Sequence, residues 1–305
     1  LLLLLLVAAA AVRPAPPPPP PPPATPAARA RDLASRLPIA HDALAQLHKA
    51  AAAIDDPPLR AAVEAQMSAP WLPPEAWVNA HPDAAQKLLQ DAGLLDGPLE
   101  LPKPRTGVFA AAPGGPCEDG HHGYPGGLAV HSLANLLHAR GLAHTYGQVY
   151  GAQVHDDWLV AASIWHDSLK AATLPWKPDG SCGPEPRIAH TPEHHILGLA
   201  SAMLRHLPPE LIYVIASAHQ APALGGEKTV CGYLQAASIL ANGVAQPCPT
   251  FRAPLEAFVI NSADSDHALT VTAWTAYVAA APKGWARYEA LIQDGNDVLL
   301  WTHGR

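Results

Sequence analysis

Residues 126–143 read GGLAVHSLANLLHARGLA, and residues 158–172 read WLVAASIWHDSLKAA. In both, leucine, valine, isoleucine and alanine return every three or four positions, the spacing of one face of an α-helix. Each carries histidine within that pattern: His131 in the first, His166 followed by Asp167 in the second. The pattern recurs in PEHHILGLA (residues 192–200), with His194 and His195, and in IASAHQA (residues 215–221), with His219. Alanine and leucine dominate and are strong helix formers, while β-branched alternation is sparse. The expected fold class is all-α.

Histidines from several helices, meeting one carboxylate, are how a helical bundle builds a metal centre. The expected ligands of a first ion are His131, His166 and Asp167, and a second could be held by His195 and His219. Neighbours on a helix point about 100° apart, so His166 and Asp167 can meet one ion only over the edge they share. Imidazole nitrogen with carboxylate oxygen suits divalent Mn, Fe, Ni, Co, Mg or Zn, one ion or two, and does not choose among them.

Charge and composition narrow the partners. The 305 residues carry a net charge of −7 and are 49% apolar, enough for one large domain or two small ones. No Lys/Arg run appears, which disfavours non-specific nucleic-acid binding. A small phosphorylated substrate stays compatible, because a metal ion can supply local positive charge. No glycine-rich phosphate loop and no GxSxG elbow occurs.

Residues 1–12, LLLLLLVAAAAV, resemble the apolar core of a secretory signal, so export to the periplasm is the expectation. Two alternatives stay open: an uncleaved N-terminal membrane anchor, and a cytoplasmic chain whose start is misassigned. A run of prolines from Pro16 to Pro23 follows, a stiff spacer without a core of its own. The expected organisation is a signal-like segment and spacer over 1–27, a helical extension over 28–95 and the main helical domain over 96–305. Within the last, Pro- and Gly-rich residues 96–127 form a long connection of the kind that often carries function. Cys117, Cys182, Cys231 and Cys248 allow two disulfides in three pairings, or four free thiols in a cytosolic chain. Oligomeric state leaves no mark in the sequence.

The segments HHGYPGGLAVHSL, HDSLK, HHILG and AH, taken together in this order, resemble the HD-domain metal-dependent phosphohydrolase superfamily. The likeness is greatest to the HD domains of bacterial 3′–5′ exoribonucleases and relaxase-linked proteins. It spans roughly residues 120–244 and implies an HD-type helical bundle. Matched to that pattern are the paired His121 and His122, then Gly126, Gly127 and the first metal histidine His131. The doublet His166-Asp167 matches next, with Lys170 three residues on, then His195 in preference to His194, and finally His219. The pattern departs at its last ligand. The family has an aspartate in a segment like Ala-Asp-x-Leu-Ala, where this chain has AASILA with Ser238 in that place. Asn242 is one turn further, and Asp264 and Asp266 are far away in sequence. The expectation is therefore a weakened site, a water in the ligand's place, or lost chemistry.

The resemblance implies hydrolysis of a phosphate ester of a nucleotide or other small phosphomonoester or diester, by water that a metal ion activates. In it Asp167, Lys170 and His122 are the expected catalytic residues. Asp167 would bridge the ions, Lys170 would meet a phosphate oxygen as a point charge, and His121 or His122 would bind phosphate or protonate the leaving group. Trp165 reads as core, while Tyr124 and Trp176 are candidates for a pocket wall. The β-barrel that accompanies the exoribonucleases has no counterpart in the sequence, so RNA is not the favoured substrate. Two other readings compete. One is a degenerate HD protein that binds a nucleotide or a protein partner without turnover. The other is a di-iron oxygenase on the same ligands.

Overall fold

Proline marks the first turn of five helices, at Pro26, Pro38, Pro57, Pro82 and Pro209. Its missing N–H has no partner to lose there and its fixed φ suits a helix start. The computed structural model describes residues 25–102, 107–118, 120–265 and 268–293. The apolar run over 1–12, the proline tract and Asp266 lie outside the described residues.

The fold is all-α, as expected. Its helices are α1 (Pro26–Arg36), α2 (Pro38–Ala52), α3 (Pro57–Ser68), α4 (Trp77–Ala80), α5 (Pro82–Asp91), α6 (Gly127–Tyr150), α7 (Asp156–Trp165) and α8 (Lys170–Thr173). A two-stranded antiparallel pair, β1 (Arg187–Ile188) and β2 (Thr191–Pro192), leads into α9 (Glu193–Leu204). Then come α10 (Pro209–Ala216), α11 (Gly226–Asn242), α12 (Leu255–Asp264), α13 (Ala268–Ala280) and α14 (Trp285–Gln293).

Three boundaries differ from the sequence-based expectation, and each bears on the site. The helix expected over 158–172 stops at Trp165 and restarts at Lys170, with turns over 166–169 that hold the His166-Asp167 doublet. The helix expected from Pro192 starts at Glu193, because Thr191 and Pro192 pair with β1. Residues 255–264 form α12, which the sequence pattern did not single out.

Helix α6 is the central element; α2, α7 and α12 pack on it, while α9 lies against α10 and α11. The extension over 28–95 shares the main apolar core, since α2 covers α6, α3 covers α7 and α4 covers α11. Trp165 is fully buried in that core, and its indole N–H donates to the Gly198 carbonyl at 2.9 Å, which joins α7 to α9. Truncating an aromatic of this size costs about 3–5 kcal/mol. A second apolar cluster joins α1 to α13 and α14 through Leu33, Trp274 and Tyr288. Disulfides join Cys117 to Cys182 and Cys231 to Cys248. Among the described residues, no helix is long and apolar enough to cross a membrane.

Candidate metal centre

The loop before α6 fixes the first histidine. Gly126 takes φ +82°, a left-handed conformation that favours glycine. A Cβ on Gly127 would collide with the His122 carbonyl, so the chain can turn this tightly only without a side chain there. That carbonyl accepts from the N–H groups of Gly114 at 2.9 Å and Tyr124 at 2.8 Å. His122 itself sits at φ +52°, and its Nδ1 lies 3.1 Å from Nδ1 of His121. The His121 ring centroid is 4.6 Å from that of His131, which projects from the second turn of α6.

The break after α7 turns both members of the doublet inward. His166 Nδ1–H donates to the Ala162 carbonyl at 3.1 Å, leaving the lone pair on Nε2 to face the centre. His131 Nε2 lies 3.3 Å from His166 Nε2 and 3.1 Å from Asp167 Oδ2. His166 Nε2 is 3.5 Å from the same oxygen.

A fourth group completes this set. Asp264, the last residue of α12, puts Oδ1 3.1 Å from His131 Nε2 and 3.3 Å from His166 Nε2. Asn135, one turn after His131, donates to Oδ1 of Asp264 at 3.3 Å and accepts from Ser163 at 3.1 Å. The expectation of a missing carboxylate is thereby corrected. Ser238 is fully buried elsewhere: its hydroxyl contacts the carbonyls of Gln235 and Val244 and accepts from Gln246 N–H. An aspartate from α12 thus stands beside His131 and His166, while Ser238 of α11 lies elsewhere.

The second set also differs from expectation. His194, not His195, meets Asp167: its Nε2 lies 2.9 Å from Asp167 Oδ1. His195 points to α10, where Nε2–H donates to the Ala216 carbonyl at 3.1 Å. Its ring stacks on His219 with centroids 4.1 Å apart and planes at 18°. His195 therefore braces the ring of His219. His219 Nε2 is 3.4 Å from Asp167 Oδ1 and 3.9 Å from Asp264 Oδ2.

Asp167 thus presents one oxygen to each set. Atoms bound to one ion at about 2.0–2.1 Å lie about 3–3.4 Å from one another, close to the separations within the first set. Asp167 Oδ1 and His194 Nε2 are 2.9 Å apart and fully buried, yet neither makes a hydrogen bond. Buried polar atoms without partners are costly, and two that converge without aiming at each other suit a shared ion.

Electrostatics agree. Burial pushes the Asp167 carboxyl up, but Lys170 and the imidazoles of His166 and His194 outweigh it and hold it well below the usual range. Burial likewise opposes ionisation of Asp264, and His166 with His131 reverses the effect. Lys170 departs from its expected place at a phosphate oxygen. Its buried ammonium donates to Asp167 Oδ2 and to the Gly114 carbonyl, tying the doublet to the loop before α6. Trp176 packs against Trp285 and Tyr288 in the second cluster, and Tyr124 packs on Trp274.

No family model matches the chain, and no solved structure matches it. Over 99 residues the chain is 31% identical to a dihydroneopterin 2′,3′-cyclic phosphate phosphodiesterase of Methanocaldococcus jannaschii. That stretch is 32% of this chain and 39% of the relative, so the chain spans about two fifths of the relative it matches.

Proposed function

We propose that the chain is an HD-type, metal-dependent phosphohydrolase acting on a small phosphorylated substrate, with a cyclic phosphodiester the foremost candidate. One observation carries this: two ligand sets share the two oxygens of Asp167. His131, His166, Asp167 and Asp264 would hold one ion, and Asp167, His194 and His219 a second. Bound there, divalent ions supply positive charge for phosphate oxygens and lower the pKa of water. The similarity to a cyclic phosphate phosphodiesterase supports the substrate class.

The chain's own residues do the rest. Lys170 keeps Asp167 ionised and fixed. Asn135 and Ser163 fix the carboxylate of Asp264. The side chains of His219 and Asp264 are 18% and 15% exposed, whereas those of His166, Asp167 and His194 are closed off, so substrate reaches the centre from the former side. His121, half-buried beside His131, is placed to donate a hydrogen bond to a phosphate oxygen, and His122 backs it. Two disulfides favour an oxidising compartment and therefore support export.

The test is hydrolysis of bis-p-nitrophenyl phosphate and of 2′,3′-cyclic nucleotides with added Mn, Fe, Ni, Co, Mg or Zn, beside His166→Ala/Asp167→Ala. Metal-dependent turnover that the double variant lacks supports the proposal. No turnover of either substrate with any of these ions contradicts it.

A further inference from the structure

The two ligand sets are unequal in charge. The first has two carboxylates, Asp167 and Asp264, whereas the second has His194, His219 and a share of Asp167. An ion in the second position would be held by less negative charge. A third carboxylate stands directly behind it. Glu185 accepts from His194 Nδ1–H with both oxygens, at 3.0 and 2.9 Å. Its side chain is 6% exposed, and that of His194 is 2% exposed.

Two of the other imidazoles, His166 and His219, have neutral backing. His166 Nδ1 faces the Ala162 carbonyl, and His219 Nδ1 lies 3.3 Å from the Thr191 hydroxyl. His194 alone among these three has a carboxylate on its far nitrogen. A carboxylate there fixes the tautomer with the lone pair on Nε2 and raises the basicity of the ring.

Glu185 is also anchored more firmly than an ordinary loop carboxylate. Cys182, three residues before it, is disulfide-bonded to Cys117. Lys177 donates to the Gly183 carbonyl at 2.8 Å. Pro186, the next residue, accepts from Glu193 N–H at 3.0 Å, where α9 begins. The segment that carries Glu185 is thus tied to the helix that carries His194. Burying a carboxylate is costly unless it is hydrogen-bonded, and here both oxygens accept from the far nitrogen of a ligand ring.

We propose that Glu185 is the positioning residue that gives the second ligand set its affinity for metal, through His194. This rests on the metal centre proposed above. Glu185 does not touch the substrate or the ions; it orients His194 and makes its ring a stronger donor to metal. Loss of Glu185 therefore empties the second position and spares the first.

The experiment is metal titration of the full chain with Mn and with Co, read by elemental analysis after desalting and by the Co(II) absorption spectrum. Wild type is expected to hold two equivalents. Glu185→Ala is expected to keep one and to bind the second about 10–100-fold more weakly, the usual effect of losing such a partner. Glu185→Gln keeps an acceptor for Nδ1–H without the charge, so it is expected to fold like wild type and to fall between the two. Circular dichroism with an unchanged unfolding midpoint for the metal-free variants excludes general damage. Two equivalents at wild-type affinity in both variants overturn the assignment of Glu185 alone. Wild-type protein that takes up no ion overturns the metal centre, and this assignment with it.

Discussion

Oδ1 of Asp264 lies 3.1 Å from Nε2 of His131, so the end of α12 joins a cluster of side chains begun on α6. The carboxylate looked for at position 238 is supplied from another helix. Asp264→Asn is therefore expected to lower the affinity of the first position for metal by at least about tenfold, as losing a charged ligand is worth more than its outer-shell support. Ser238→Asp is expected to add no metal and no activity. It should instead lower stability by several kcal/mol, since it buries an unpaired carboxylate where a small hydroxyl now makes three contacts. Metal titration and urea unfolding of both variants check this. A gain of metal in Ser238→Asp would contradict it.

His194 and His195 are neighbours with different work. His194→Ala removes a group aimed at Asp167 and should cost the second equivalent of metal. His195→Ala removes a ring stacked on His219 and a hydrogen bond to the Ala216 carbonyl. It should retain the metal and lose about 1–3 kcal/mol of stability, from an emptied space and an unmade bond. Equal loss of metal in the two variants would contradict the division of roles.

The Cys117–Cys182 disulfide closes a separation of 65 residues, across the loop, α6 and the doublet. Chain-entropy arguments give such a cross-link about 4 kcal/mol, with measured values for disulfides usually about 2–4. Cys117→Ser/Cys182→Ser should lower the unfolding free energy by that amount and loosen the segment that carries Glu185. An unchanged denaturant midpoint would show that the cross-link contributes nothing to the fold.

Tyr288 gives an alkaline signature. Its hydroxyl donates to the Gly180 carbonyl at 2.9 Å, and burial pushes its pKa up. The folded state keeps the neutral phenol, while the unfolded chain ionises near pH 10. The contribution is complete below the unfolded pKa and is lost as pH rises from there toward the folded value. Tyr288→Phe should fall less steeply in stability above about pH 10. Parallel stability curves for the two proteins from pH 8 to 11 would contradict this.

Much of the bundle and four of the six residues clustered at the proposed centre were legible in the sequence. Apolar spacing marked α6, α9 and α10, and the motif around them marked His131, His166, Asp167 and His219. Asp264 was not legible for two reasons. Residues 255–264, LEAFVINSAD, mix β-branched and short polar side chains that favour a helix weakly. The role of Asp264 also comes from the packing of α12 on α6, which no local pattern encodes. His195 was preferred to His194 on the family pattern, whereas neighbours on a helix point about 100° apart and packing brings His194 to Asp167. Glu185 lies in a loop, and only the tertiary fold brings it to His194.

The proposed mechanism depends on two ligand sets that share Asp167. Elemental analysis of the full chain, purified without chelator and then saturated with manganese or iron, tests it most directly. About two equivalents are expected in wild type and none in His166→Ala/Asp167→Ala, because that double variant removes a ligand from the first set and the oxygens common to both. Wild-type protein that retains no metal under those conditions would contradict it.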